Sequence, residues 1–275
     1  MKKLLAVLLA ALMLFAFAAC GGDKTETNTD ADTVVSDLDY VKNNGKLIIG
    51  YTEFAPMNYY DAEGNFVGFE TDFAKAICAE LGVEAEFQLI KWSAKETELA
   101  SKNIDCIWNG MTITPERAEA MSISTPYMAN KQVLVVRAED AEKYTTAEAM
   151  KGVAVVAEQE SAGEEVITTD AFFADAEYTA VVDMATALKE VKAMTADACV
   201  VDYVTSIGMI GEGTDYADLV VVDAMSFADE QYGIAFRKDS DVTAAVNAAI
   251  TKLVEDGTLA EIAADYKLAE QIIAK

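Results

Sequence analysis

The chain has 275 residues, with 47 acidic against 21 basic side chains, a net charge of −26 and a pI near 4.2. That charge repels nucleic acid and anionic membrane surfaces, so no nucleic-acid partner is expected. There is no histidine, which excludes Ser–His–Asp and Cys–His nucleophilic sites and removes the commonest zinc ligand; no metal, cofactor or catalytic residue is expected.

Met1-Lys2-Lys3 precedes an apolar run, Leu4 to Phe17, too short to span a bilayer comfortably. Ala18-Ala19-Cys20-Gly21 follows. Residues 1–19 therefore read as a secretory signal ending in small residues. A cysteine at the cleavage point resembles the bacterial lipoprotein signal, which implies a lipid on Cys20 and a membrane anchor; Phe17 stands where that pattern prefers leucine. Removing the signal takes two lysines with it and leaves the chain more acidic still. Residues 20–37, rich in Thr, Asp, Asn and Glu, bury too little apolar surface to fold and read as a flexible tether.

Folded structure is expected from about Leu38. Lys46–Tyr51 (KLIIGY) reads as a strand, followed by a loop carrying Phe54, Pro56, Tyr59 and Tyr60. Thr71 is placed to cap a helix with Phe73, Ile77 and Leu81 at helical spacing and Gly82 as its stop. Glu84–Ile90 is the next strand, and Lys91-Trp92-Ser93 leads into a helix ending near Lys102. Ile104–Trp108 is a third strand. It breaks at Asn109-Gly110 and runs through Met111 and Thr112 to Thr114-Pro115-Glu116-Arg117. Threonine before proline is a helix start, with Thr114 as cap and Pro115 at the first helical position. Arg117 then lies in the first turn of that helix, beside a glycine that permits close backbone approach and two threonine hydroxyls. A guanidinium there matches a carboxylate in two hydrogen bonds; an ordinary surface charge is the competing reading.

A second alternating set follows. Val133–Val136 is a strand, Thr146–Lys151 a short helix and Val153–Ala157 a strand; Ser161 starts a helix and Thr179–Val182 is a strand. Met184–Met194 is a helix, Ala198–Val201 a strand, Tyr203–Ile210 a helix and Leu219–Val222 a strand. Tyr232–Phe236 is a further strand, and Asp241–Glu255 and Leu259–Tyr266 are helices. Asp202 follows its strand directly, where it either caps the next helix or faces a cation. Cys78, Cys106 and Cys199 sit in apolar runs and read as buried free thiols; a disulfide among them stays open, since Cα spacing decides it. Strand–helix alternation gives an α/β class with mostly parallel sheets. Two comparable sets imply two lobes, one of residues 38–131 plus 229–275 and one of residues 132–228. The chain then crosses twice, near Lys131-Gln132 and Glu230-Gln231. Ligands in open α/β sheets collect at the carboxyl ends of strands, here the cleft between lobes.

The segments GKLIIGYTEFAPMNYYDAEGNFVGFETDFAKAI, WNGMTITPER, ACVVDY and QYGIAFRKDS together resemble the extracytoplasmic solute-binding proteins of polar amino acid ABC transporters, relatives of histidine-, lysine/arginine/ornithine- and glutamine-binding proteins. The resemblance covers about Val41 to Leu268. It implies a type II periplasmic-binding-protein-like fold with two strand crossovers at the hinge. It also implies a free polar L-amino acid as ligand, ABC permease subunits as partners, and a lipid-anchored position outside the cell membrane.

The family's site falls, by resemblance, on named residues. Arg117 clamps the α-carboxylate and Thr112 assists. The Gly110 carbonyl and Asp202 take the ammonium, and Phe54 and Trp92 sandwich the side chain. Ser161-Ala162 offers backbone N–H groups to the carboxylate. Asn109, Met111 and Tyr51 complete the expected ligand-binding set. Tyr51 stands where relatives often carry aspartate, Asn109 replaces a small residue, and Glu160, with Glu158 nearby, replaces a glycine. The carboxylates suit a basic ligand, Asn109 and Tyr51 a neutral polar one. The alternative function is a secreted cyclohexadienyl (arogenate or prephenate) dehydratase-like enzyme on the same fold. It would need Glu53 or Glu158 as acid/base.

Overall fold

The computed structural model describes residues 36–275, the side chains of residues 223–226 and 228 excepted. The signal, most of the tether and Cys20 lie outside the described residues. Among those described, no helix is long and apolar enough to cross a membrane.

The described chain opens on helix α1, Asp37–Asn44, which the sequence reading did not anticipate. Ser36 caps it by accepting the Asp39 N–H, and Gly45 closes it in a left-handed turn (φ +69°). Asp37, assigned to the tether, is instead held by the Arg237 guanidinium at 2.9 Å. Strand β1 (Lys46–Tyr51) follows, then a two-strand hairpin, β2 (Tyr59–Tyr60) and β3 (Phe66–Val67). Helix α2 runs Phe69–Leu81 and buries Phe69, Phe73, Ala74, Ile77 and Cys78 on one face. It starts two residues before the expected cap: Gly68 holds the cap position, and the Thr71 hydroxyl lies inside the first turn, on the Val67 carbonyl at 3.2 Å.

Strand β4 (Glu84–Leu89), helix α3 (Lys95–Ala100), strand β5 (Cys106–Ile107), helix α4 (Pro115–Ala120) and strand β6 (Ser122–Ile123) complete the first set. Strand β5 is shorter than the expected Ile104–Trp108. The Asp105 carboxylate takes the Ile48 N–H at 3.0 Å, so a side chain replaces one rung of the backbone ladder.

Strand β7, Met128–Arg137, reaches well before the expected Val133. Its polar start escaped notice because Asn130 and Gln132 turn inward onto carboxylates rather than outward to water. Strand β8 (Ala154–Glu158), helix α5 (Ala162–Thr169), strand β9 (Glu177–Val181), helix α6 (Met184–Lys192), strand β10 (Ala198–Asp202) and helix α7 (Tyr203–Met209) follow. The two strands expected at 219–222 and 232–236 are replaced by one long strand, β11 (Leu219–Tyr232), and a separate short one, β12 (Ala235–Phe236). Gly233 divides them; a Cβ there would lie 2.6 Å from Ile123, so only glycine allows the chain to step between sheets. Helices α8 (Val242–Glu255) and α9 (Thr258–Asp265) close the described chain.

Two five-stranded sheets result, ordered β4-β1-β5-β12-β6 and β11-β7-β10-β8-β9. In the first, β1 is parallel to β4 and β5, and β12 is antiparallel to β5 and β6. In the second, β9, β8 and β10 are parallel, while β7 is antiparallel to β10 and to β11. Tyr232 bridges to Thr112 beside the first sheet, while β7 pairs with β10 in the second, so the β7–β11 ribbon joins both. Trp108, Tyr127, Tyr232, Phe69, Phe73 and Phe236 are fully buried; each such side chain contributes ~1.5–3 kcal/mol relative to exposure. Cys78, Cys106 and Cys199 are buried free thiols.

Candidate functional site

Elements of the two sheets converge on one cavity lined by Phe54, Trp92, Asn109, Gly110, Thr112, Arg117, Glu158, Ser161, Ala162, Met184 and Asp202. Its walls stand close together: the space between them, open solvent at the mouth included, is about 290 Å³.

Arg117 is delivered by the helix start that its neighbours specify. Thr114 is the N-cap of α4 and accepts the Arg117 N–H at 3.2 Å, with Pro115 at the first helical position. The guanidinium donates from Nη1 to the Thr112 carbonyl at 2.9 Å. Its remaining donors have no protein acceptor among the described contacts; burial lowers its pKa, and the carboxylates of Glu165, Glu96, Glu230 and Asp202 offset this only in part.

Asp202 ends β10 and is 3% exposed. It precedes α7 but makes no side-chain cap. Instead Oδ1 accepts from Asn130 Nδ2 at 2.8 Å and from Gln132 Nε2. The same two amides donate to Glu230, whose other oxygen takes the Thr112 hydroxyl at 3.0 Å. Among the described residues no cation pairs with Asp202, and burial with the nearby Glu230 carboxylate raises its pKa well above the usual range. A carboxylate so placed is ready for an ammonium group.

Gly110 needs its left-handed φ of +60°, and a Cβ there would lie 2.5 Å from the Phe54 ring. Beneath it lies Glu70, fully buried, which the sequence reading did not single out. Its carboxylate accepts the Gly110 N–H at 2.9 and 3.1 Å and the Tyr127 hydroxyl. Burial raises its pKa to about 7 against the lowering effect of those two bonds.

Ser161 caps α5 and accepts the Glu164 N–H at 3.2 Å. Its own N–H goes to the Glu158 carbonyl, also at 3.2 Å. Of the expected Ser161-Ala162 donor pair, the Ala162 N–H is therefore the one left over, since first-turn amides have no intrahelical acceptor. Lys95, not singled out from sequence, is 3% exposed. Its ammonium lies 4.9 Å from the centre of the Trp92 ring and donates to the Glu160 carbonyl at 3.3 Å. It sits in the polar run KWSAKET, which carries no local sign of burial.

Two expected members fall outside the cavity. Tyr51 is buried against Phe66 (4.8 Å between ring centres) and Phe87 (6.2 Å), so aromatic packing holds its ring away from the cavity lining. The Met111 side chain is fully buried with Trp92, Ile104 and Ile107, and its carbonyl accepts the Gly233 N–H. Asn109 lines the cavity with its amide already engaged: Oδ1 accepts the Thr52 N–H and hydroxyl at 3.0 and 2.7 Å, and Nδ2 reaches the Thr52 carbonyl and Asn58 at 2.9 Å. Glu53 is exposed and does not line the cavity, so it has no place as an acid/base there.

The profile of bacterial extracellular solute-binding proteins, family 3, matches residues 47–269. The chain is 28% identical over 269 residues to an arginine-binding extracellular protein of Bacillus subtilis, covering 95% of this chain and 96% of that one. A mutant of ArgBP from T. maritima superposes with a TM-score of 0.76 at 32% identity, over 84% of this chain and 98% of its own. An ancestral amino acid-binding protein, described as a precursor of cyclohexadienyl dehydratase, superposes at 0.75 with 31% identity, over 84% and 99%. The fold is the two-sheet, type II periplasmic binding architecture.

Proposed function

This chain belongs to the bacterial extracellular solute-binding proteins of family 3, and on that premise we propose that it captures a free polar L-amino acid and delivers it to the membrane permease of an ABC importer. The observation that carries the reading is the cavity shared by Arg117 and Asp202. A zwitterion presents one anion and one cation, and a desolvated cleft needs a partner for each. Arg117 takes the α-carboxylate with the Ala162 N–H. Asp202 and the Gly110 carbonyl take the ammonium, Thr112 supports both, and Phe54 and Trp92 enclose the side chain. Residues 38–131 with 229–275 act as one lobe and 132–228 as the other, the β7–β11 ribbon serving as hinge. One ligand held from both lobes favours closure.

A signal in residues 1–19, lipid on Cys20 and a tether to residue 37 would hold the protein at the outer face of the membrane. The enzyme alternative lacks a carboxylate free of other duties except Glu158, and turnover of prephenate by the purified protein tests it directly. The main experiment is a thermal-shift screen of the twenty amino acids, ornithine and cystine. A true ligand at a hundred times its Kd stabilises by ~2.7 kcal/mol. A screen in which none raises the melting temperature overturns the reading.

A further inference from the structure

The ligand's side chain is decided by a group that the zwitterion leaves over. Three charged residues line the cavity: Arg117, Asp202 and Glu158. On the proposed function, on which this inference rests, a ligand's carboxylate and ammonium match the first two. Glu158 remains. It ends β8, is 3% exposed, and its Oε1 has no hydrogen-bond partner among the described residues.

The neighbouring charges do not satisfy it. Lys95 directs its ammonium to the Glu160 carbonyl at 3.3 Å and stands 3.9 Å from the Glu160 carboxylate. Asp183 caps α6 by accepting the Thr186 N–H at 2.6 Å and, carrying the same charge, repels the Glu158 carboxylate, as does Asp202. Burial and Asp183 outweigh Lys95, and the Glu158 carboxyl is pushed up to about 8. Its cavity neighbours Phe54, Trp92 and Met184 are apolar, a surface for a methylene stem and, at the rings, for a cation. The two features that argued for a neutral ligand are withdrawn: the Asn109 amide is spent on Thr52 and Asn58, and Tyr51 is packed outside the cavity.

We propose that Glu158 is the specificity-determining residue and that it pairs with a cationic side-chain head, so that the ligand is a dibasic α-amino acid. Pairing favours the ionised carboxylate, so binding near neutral pH releases a proton.

The test is calorimetry on the full chain with L-arginine and L-citrulline, which share shape and differ in side-chain charge, and with L-glutamine. Arginine is expected to bind at least tenfold tighter than citrulline. Its enthalpy should vary with buffer ionisation more than citrulline's, reporting at pH 7 a proton released at Glu158 beyond any released at Asp202. In Glu158→Gln the preference should fall to near unity and this extra proton release should vanish, while citrulline binding persists. Equal affinities in the unaltered protein, or a preference that survives Glu158→Gln, overturns the inference. Binding of glutamine but not arginine, abolished by Arg117→Ala, sinks the cationic ligand and leaves the proposed function standing. Failure of every free amino acid to bind sinks both.

Discussion

Asn130 donates to the Asp202 carboxylate at 2.8 Å while its own carbonyl oxygen accepts the Val204 N–H at 3.2 Å. An amide from β7 thus serves the start of α7, and Asp202 is freed from capping to face the cavity. Held by amides alone, the carboxylate is buried without a cation, which raises its pKa. The stability it contributes is present below the ordinary carboxylate range and lost as pH rises through its raised folded pKa. Asp202→Asn should therefore melt higher than the unaltered protein at pH 7 without ligand. It should bind ligand more weakly by about 1.5–3 kcal/mol, the worth of a hydrogen bond to a charged group. Melting curves with and without ligand check both halves; a lower ligand-free melting temperature counts against the assignment.

Among the described residues Arg117 makes one side-chain hydrogen bond to protein, to the Thr112 carbonyl, so its removal leaves little unsatisfied. Arg117→Ala should keep the far-ultraviolet spectrum and cooperative melting. Ligand affinity should fall by about 2–5 kcal/mol, the cost of stripping one partner from a desolvated charge pair. Arg117→Lys should recover only part of it, because an ammonium cannot make the planar two-bond fork. Calorimetric titration that returns an unchanged Kd for the alanine variant would remove Arg117 from the site.

Glu70 predicts a pH dependence of stability. Its folded pKa is raised from the ordinary 4.5 to about 7, so its contribution is fully present below pH 4.5 and lost as pH rises through 7. A shift of that size amounts to roughly 3 kcal/mol. Glu70→Gln keeps an oxygen for the Gly110 N–H and the Tyr127 hydroxyl but cannot ionise. Its urea midpoints at pH 5 and pH 8 should differ less than those of the unaltered protein; an equal midpoint difference in the two proteins would refute the buried titration.

Arg237 offers a control away from the cavity. It donates to the Asp37 carboxylate at 2.9 Å, the Ile104 carbonyl at 2.8 Å and the Asp105 carboxylate at 3.2 Å. Asp105 is 3% exposed, and Arg237→Ala strands it. Breaking a buried pair in this way costs about 3–5 kcal/mol. Denaturation should show that loss, while the folded protein's affinity for ligand stays within twofold of the original.

What the sequence determined by itself was whatever backbone chemistry decides within a few residues. Thr114-Pro115 announces a helix start and so places Arg117 in a first turn. Gly82 stops α2, and the apolar spacing of Phe73 and Ile77 selects its buried face. The ordered motifs carried the family and with it the two-sheet fold. The tertiary structure alone decided which polar groups lose water and whom they meet. Glu70 carries no local sign of burial until Tyr127 and Gly110 close over it. Lys95 reads as a surface lysine until Glu160 arrives from the second set of elements. Tyr51 reads as a pocket residue until Phe66 and Phe87 claim it. The partners in each case are distant in the chain, and no local propensity encodes a pairing whose free energy arises only when two separated segments exclude water together.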